Sequence, residues 1–87
     1  MKKNKRCSLQ FHKKKRETLY VISGCLKVTH GNRTKLKNQL LKRNQTIDIK
    51  PLTIHRMSAI SDCIYLEAST NQLKDVVRLE DDYKRAK

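Results

Sequence analysis

Four side chains in two separated stretches of the chain have the types and spacing of a metal site: Gln10, His12, Glu17 and His55. Gln10 and His12 stand at positions i and i+2, which point to the same face of a β-strand. Two imidazoles, one carboxylate and one carboxamide oxygen form a ligand set that suits Zn, Mn, Fe or Ni. We therefore expect one divalent cation at these residues, and the sequence does not distinguish among the four metals.

The segments that must position these ligands have the composition and period of β-strands. They are short, rich in β-branched and aromatic residues, and divided by turn residues; they lie at 19–23, 25–29, 34–41, 47–49, 55–59 and 63–68. Residues 30–33 and 42–45 predict hairpin turns, and Pro51 ends a strand because it cannot donate to the ladder. About seven strands at roughly ten-residue spacing predict an all-β sandwich or barrel.

The length of 87 residues allows one domain. We predict a single domain over residues 1–87, with a basic arm at 1–6 and a charged tail at 80–87. The segment 73–79 fits either a short strand or a helical turn. A core this small gains stability from a bound metal or a second subunit, so we expect a homodimer.

The chain is strongly basic, with 21 Lys and Arg residues against 8 Asp and Glu and a net charge of +13. Residues 1–56 hold 16 of the basic residues and 2 of the acidic ones. Such a field attracts phosphate groups, nucleic acids and other anions. Nucleic-acid binding rests on charge alone, because the chain has one Phe and three Tyr and no recognisable nucleic-acid-binding motif.

The cysteines indicate the compartment. Cys7, Cys25 and Cys63 are widely spaced and form no CxxC pair, which predicts reduced thiols and neither a disulfide framework nor a thiolate metal site. No apolar stretch is long enough for a signal peptide or a membrane span. We expect a cytoplasmic protein that does not enter a membrane.

The spacing of the candidate ligands resembles the first cupin motif. That motif is a histidine, any residue, a histidine, four residues, a glutamate, six residues and a glycine. Gln10, His12, Glu17 and Gly24 match every interval, with Gln10 in the place of the first histidine. Residues 44–56 partly match the second motif and supply His55. The resemblance implies a small cupin, which is a double-stranded β-helix or jelly-roll barrel.

Four stretches also resemble the carboxy-terminal domain of type II mannose-6-phosphate isomerases, which is often fused to mannose-1-phosphate guanylyltransferase. They are residues 8–12, 20–24, 44–46 and 75–85, the last reading D-V-V-R-L-E-D-D-Y-K-R. The likeness implies a sugar-phosphate aldose–ketose isomerase in GDP-mannose or polysaccharide metabolism. Its partners would be a sugar phosphate or sugar nucleotide and a separate nucleotidyltransferase.

If the chain is such an isomerase, three basic residues next to the candidate ligands in sequence are candidates for catalysis or substrate binding. Lys15 is a candidate for proton transfer, and Arg16 and Arg56 are candidates for binding the substrate phosphate or stabilising an enediolate. The alternative for each is a solvated basic surface, since the whole first part of the chain is basic.

The sequence also departs from that family. Leu52 and Lys84 stand where the family has glycine, and only residues 2–6 precede the first shared stretch, so we expect a barrel that lacks its first strand. These departures leave catalysis open. The alternatives are a non-catalytic module that binds a sugar or sugar nucleotide, and a basic nucleic-acid-binding protein.

Overall fold

The computed structural model describes residues 1–72 and 74–80. These residues form eight β-strands: β1 (Leu9–Phe11), β2 (Glu17–Ser23), β3 (Leu26–Gly31), β4 (Leu36–Leu41), β5 (Thr46–Ile49), β6 (Ile54–Ala59), β7 (Ile64–Ser69) and β8 (Val77–Glu80). Over the same residues there is no helix long and apolar enough to cross a membrane.

The strands form two antiparallel sheets. One has five strands in the order β4-β3-β6-β1-β8, and the other has three in the order β5-β2-β7. Alternation along β2 shows how the sheets pack, because Leu19 and Val21 are buried while Tyr20 and Ile22 between them are exposed. The all-β prediction is confirmed.

The apolar core lies between the two sheets. Its buried members come from both sheets and from the turn before β7: Leu19, Val21, Leu26, Val28, Leu41, Ile49, Met57, Ala59 and Cys63. All of them lie in the predicted strands, where period-2 alternation places every second residue on the inner face.

Turns are placed by residues that accept positive φ. Asn44 has φ 69°, and Gln45 N donates to Lys42 O, as predicted for residues 42–45. The other hairpin turn lies at 32–35, two residues later than predicted. The reason is local, because the Asn32 side chain accepts the backbone N–H groups of Thr34 and Lys35.

The two ends of the described chain complete the five-stranded sheet. Asn4 N donates to Ala59 O, Ala59 N donates to Lys5 O, and Cys7 N donates to Met57 O, so the basic arm runs along β6. Segment 73–79, for which a strand and a helical turn were both open, contributes to strand β8. The predicted charged tail beyond residue 80, with Lys84, lies outside the described residues.

Candidate metal centre

Three predicted ligands come from both sheets. His12 directly follows β1, His55 lies on β6 of the same sheet, and Glu17 opens β2 of the opposite sheet. All three are buried, with exposed fractions of 2% for His12, 2% for Glu17 and 0% for His55. The site therefore bridges the two sheets at one end of the core.

The ligand atoms converge. One imidazole nitrogen from each histidine and one carboxylate oxygen of Glu17 all lie within 4.8 Å of one another. His55 Nε2 is 3.9 Å from Glu17 Oε1, and His12 Nε2 contacts the same oxygen. The centres of the two imidazole rings are 5.1 Å apart.

Hydrogen bonds on the far side of each ring set its tautomer. His12 Nδ1 contacts Asp75 O, and His55 Nδ1 is 2.9 Å from Thr53 O. A carbonyl oxygen only accepts, so each Nδ1 carries a hydrogen and each Nε2 is the ring nitrogen that faces Glu17. Backbone carbonyls orient metal-binding histidines in this way in known sites.

The two Nε2 atoms are buried; His12 Nε2 contacts Glu17 Oε1, and His55 Nε2 has no hydrogen-bond partner in the described part of the chain. Two buried imidazole nitrogens and a carboxylate thus face one another, an arrangement that a cation would stabilise. Burial also lowers the pKa of His55, which favours the neutral imidazole that a metal requires. These residues fit a divalent cation.

Gln10 lies beside this group. Its Cα is paired with that of His55 across β1 and β6, and its side chain lines the same cavity as His12. The carboxamide oxygen accepts a 2.8 Å hydrogen bond from Ser8 Oγ. Coordination by Gln10 stays a prediction.

A cavity of about 270 Å³ opens beside His12, which lines it. Its polar lining includes Gln10, His12 and Lys15 together with three residues that sequence reasoning did not select: Tyr65, Glu67 and Arg78. Tyr65 and Glu67 alternate on β7 and therefore point to the same side of the sheet.

Glu67 is the residue with the most unusual environment in the cavity. Burial first, and then its hydrogen bond to Glu17 and the negative charge of Glu17, raise the pKa of Glu67 to about 7. Burial likewise raises the pKa of Tyr65 to about 12. The cavity wall therefore holds a carboxyl group whose pKa is near neutral pH and a phenol that stays protonated.

The predicted cations separate into two groups. Lys15 lies in the cavity wall, with Nζ 3.6 Å from Glu17 Oε1 and a side chain that is 13% exposed. Arg16 is exposed and lies outside the cavity lining. Arg56 points away from His55 to the other face of β6, where Nε donates to Cys7 O and Nη2 to Glu80 O.

The structure therefore brings Lys15 to the site and does not bring Arg16 or Arg56 there. The physical reason for Arg56 is strand alternation, because neighbours in sequence on a strand face opposite ways. Its buried guanidinium links β6 to β8 and to the segment before β1.

A short loop holds Lys15 in place. The Asp75 carboxylate accepts backbone N–H groups from Lys13, Lys14 and Lys15, and these hydrogen bonds, the one from Lys14 first, lower its pKa. Asp75 thus orders the connection between His12 and Glu17 while its own carbonyl oxygen contacts His12.

The sequence held a partial signal for the residues that were missed. Arg78 lies in the stretch 75–85 that resembles the closing motif of the isomerases. Glu67 and Tyr65 lie on a predicted strand, but which face of that strand meets the cavity depends on packing against β2.

No protein-family profile and no curated protein sequence matches the chain.

Solved structures with a similar fold include sugar-modifying proteins. QdtA, a sugar 3,4-ketoisomerase from Thermoanaerobacterium thermosaccharolyticum in complex with TDP, has a TM-score of 0.78 and 21% identity over 90% of this chain and 60% of that chain. A mutant of that enzyme in complex with TDP-4-keto-6-deoxyglucose has a TM-score of 0.79 and 21% identity over 90% of this chain and 59% of that one. The capsular polysaccharide assembling protein CapF from Staphylococcus aureus has a TM-score of 0.78 and 16% identity over 91% of this chain and 24% of that chain.

These likenesses concern the fold. The chain spans about three fifths of the length of QdtA and about a quarter of that of CapF. At such identities the shared feature is the arrangement of two antiparallel sheets, which confirms the expected small cupin fold. The finer resemblance to mannose-6-phosphate isomerases stays a prediction.

Proposed function

We propose that this protein binds one divalent cation through His12, Glu17 and His55 and isomerises a phosphorylated sugar or sugar nucleotide in the adjoining cavity. The observation that carries the proposal is the convergence of two buried histidine Nε2 atoms on the Glu17 carboxylate, with His12 in the wall of a polar cavity. When bound, the cation would supply Lewis-acid polarisation of the carbonyl and hydroxyl oxygens of a sugar.

The cavity residues suit proton movement between adjacent carbons. Lys15 and Glu67 both line the cavity, and each can hold or release a proton close to the ligand group. Lys15 also places a positive charge where an enediolate would need one. Tyr65 can donate a hydrogen bond from its protonated hydroxyl. The cavity volume of about 270 Å³ is near the lower end of the usual range for small-molecule sites.

Two observations favour different substrates. The four stretches that resemble type II mannose-6-phosphate isomerases favour mannose 6-phosphate. The fold shared with QdtA, whose structures contain TDP and a TDP-sugar, favours a sugar nucleotide. The second candidate function, a sugar-nucleotide-binding module without turnover, also rests on that likeness. A homodimer and a separate nucleotidyltransferase partner stay predictions.

Metal content tests the proposal directly. We expect about one equivalent of Zn, Mn, Fe or Ni per chain by elemental analysis of purified protein, and at least a tenfold lower content in His55→Ala, because removing one of three protein ligands weakens a site severely. His30→Ala is the matched control, since His30 is half-buried on β3 and lies outside the ligand group. Equal metal content in the His55 variant and the wild type would refute the site.

Substrate assays separate the candidate functions. We expect metal-dependent conversion of mannose 6-phosphate or of a keto sugar nucleotide, with loss of turnover in His55→Ala. Binding of TDP-sugars without turnover of either substrate would favour the second candidate. Binding to mixed-sequence DNA with steep salt dependence would favour the nucleic-acid alternative, for which the net charge remains the only argument.

A further inference from the structure

The inner face of the five-stranded sheet carries one row of polar side chains, one from each strand. Neighbours in the row are Cα partners in the sheet: Lys37, His30, His55, Gln10 and Arg78. The row is polar although the neighbouring positions on the same face include the core residues Val28 and Met57, and its end on β4, Lys37, is exposed. The row therefore marks a surface that must meet polar or charged groups.

The orientation of the row follows from burial and cavity lining. His30 alternates with the core residues Leu26 and Val28 on β3, so it shares their face. Gln10 and Arg78 both line the cavity beside the ligand group. The row thus passes through the candidate metal centre at His55 and continues to Arg78 on the far side of Gln10.

Two cations meet at that end of the row. Arg78 is half-buried on β8, a strand fixed by pairing with β1. Lys15 enters the same cavity from the loop between β1 and β2, where Asp75 orders the backbone and Glu17 contacts its ammonium group. Both charges are partly removed from water, so an anion in the cavity would interact with them more strongly than with surface cations.

We propose that Arg78 and Lys15 form a phosphate subsite that anchors the substrate beside the metal centre. The proposal rests on the proposed function, because it takes the cavity as the substrate site. An arginine fork matches two phosphate oxygens, and a lysine adds a compact charge. His55 and Arg78 are two strand spacings apart, about 10 Å, a distance that a phosphorylated hexose spans between its carbonyl end and its phosphate when side-chain reach is included.

Calorimetric titration with inorganic phosphate tests the subsite in the full chain. We expect Arg78→Gln to weaken phosphate binding about tenfold or more, because a charge-assisted pair is lost from a partly dry site. Arg43→Gln is the matched control, since it removes the same charge from the exposed turn at 42–45. Equal affinity in the two variants would overturn the proposal, because binding would then follow net charge alone.

A second pair of variants tests the subsite independently, in case Arg78→Gln does not fold. Lys15→Met should weaken phosphate binding several-fold, whereas Lys14→Met, one position away on an exposed side chain, should not. Phosphate affinity that is unchanged in Lys15→Met would contradict the assignment even if Arg78→Gln does not fold.

Metal-stripped protein separates the subsite from the metal centre. We expect phosphate to bind the stripped wild type more weakly but still to depend on Arg78. If phosphate binds only when metal is present and with the same affinity in wild type and Arg78→Gln, phosphate binds to the metal and the proposed subsite is wrong. The proposed function fails separately, through metal content, which Arg78→Gln should leave unchanged. Titrations of wild type and Arg78→Gln with mannose 6-phosphate and with TDP then distinguish a phosphate monoester from a diphosphate. The ligand whose affinity falls more in the variant is the one that the subsite prefers.

Discussion

Leu52 occupies a backbone conformation that leucine rarely adopts. Its φ is 68°, in the left-handed region, and Thr53 N donates to Lys50 O across the turn. With Pro51 before it, the turn has the pattern of type II, whose third position normally holds glycine or asparagine. Leu52 stands where the isomerase family has glycine, the residue that adopts such a φ most readily. Leu52 N also donates to His12 O, so the turn helps to position a ligand.

Replacing Leu52 by glycine should cost little stability. The change relieves about 1 kcal/mol of backbone strain and adds roughly 0.5–1 kcal/mol of chain entropy to the unfolded state, while the side chain is already 66% exposed. We expect a free energy of unfolding within about 0.5 kcal/mol of the wild type. Leu40→Gly, on the exposed face of β4, is the control and should lose about 1 kcal/mol. Denaturant unfolding measures both, and equal losses would argue against the strain.

The loop between β1 and β2 depends on a residue 60 positions or more away in sequence. Asp75 accepts three consecutive backbone N–H groups from residues 13–15, and its carbonyl oxygen contacts His12. The run Lys13-Lys14-Lys15-Arg16 would repel itself without a nearby negative charge. The basic run thus becomes an ordered connection between two ligands through one carboxylate.

Asp75→Asn should lower the Tm at neutral pH. The hydrogen bonds from Lys14, Lys13 and Lys15 lower the pKa of Asp75, so the stabilisation is present above the ordinary pKa of aspartate and is lost as the pH falls through the lowered value. We therefore expect the Tm values of wild type and variant to converge in strong acid. Asp48→Asn, at an exposed position of β5, removes the same charge and is the control. A constant difference in Tm across the acid range would contradict this explanation.

At the scale of the whole molecule, the dominant feature is the net charge of +13 on 87 residues. The acidic residues compensate only part of it, because 8 Asp and Glu stand against 21 Lys and Arg. The folded state concentrates this charge in a smaller volume than the unfolded chain does. Self-repulsion therefore opposes folding.

Thermal unfolding should show this repulsion. We expect the Tm to rise by several degrees between about 0.02 M and 0.5 M NaCl, because the screening length falls well below the size of the domain. Protein with a measured, constant metal content is used throughout, so that loss of metal does not mimic the effect. A Tm that falls with salt would mean that favourable ion pairs outweigh the repulsion.

The sequence by itself determined the strand pattern, the turns at asparagine and proline, and three of the residues that converge as candidate metal ligands. These properties are local, because alternation and turn chemistry act over a few residues, and His12, Glu17 and His55 stood at recognisable intervals. Only the tertiary structure decided which cations reach the cavity. Arg56 and Arg78 look alike in sequence, yet pairing of β6 and β8 with β1 turns one outward and the other inward. The same is true of Glu67, whose pKa is raised by burial and then by Glu17, 50 positions away in sequence, because both depend on the pairing of β7 with β2 and on the packing of the two sheets.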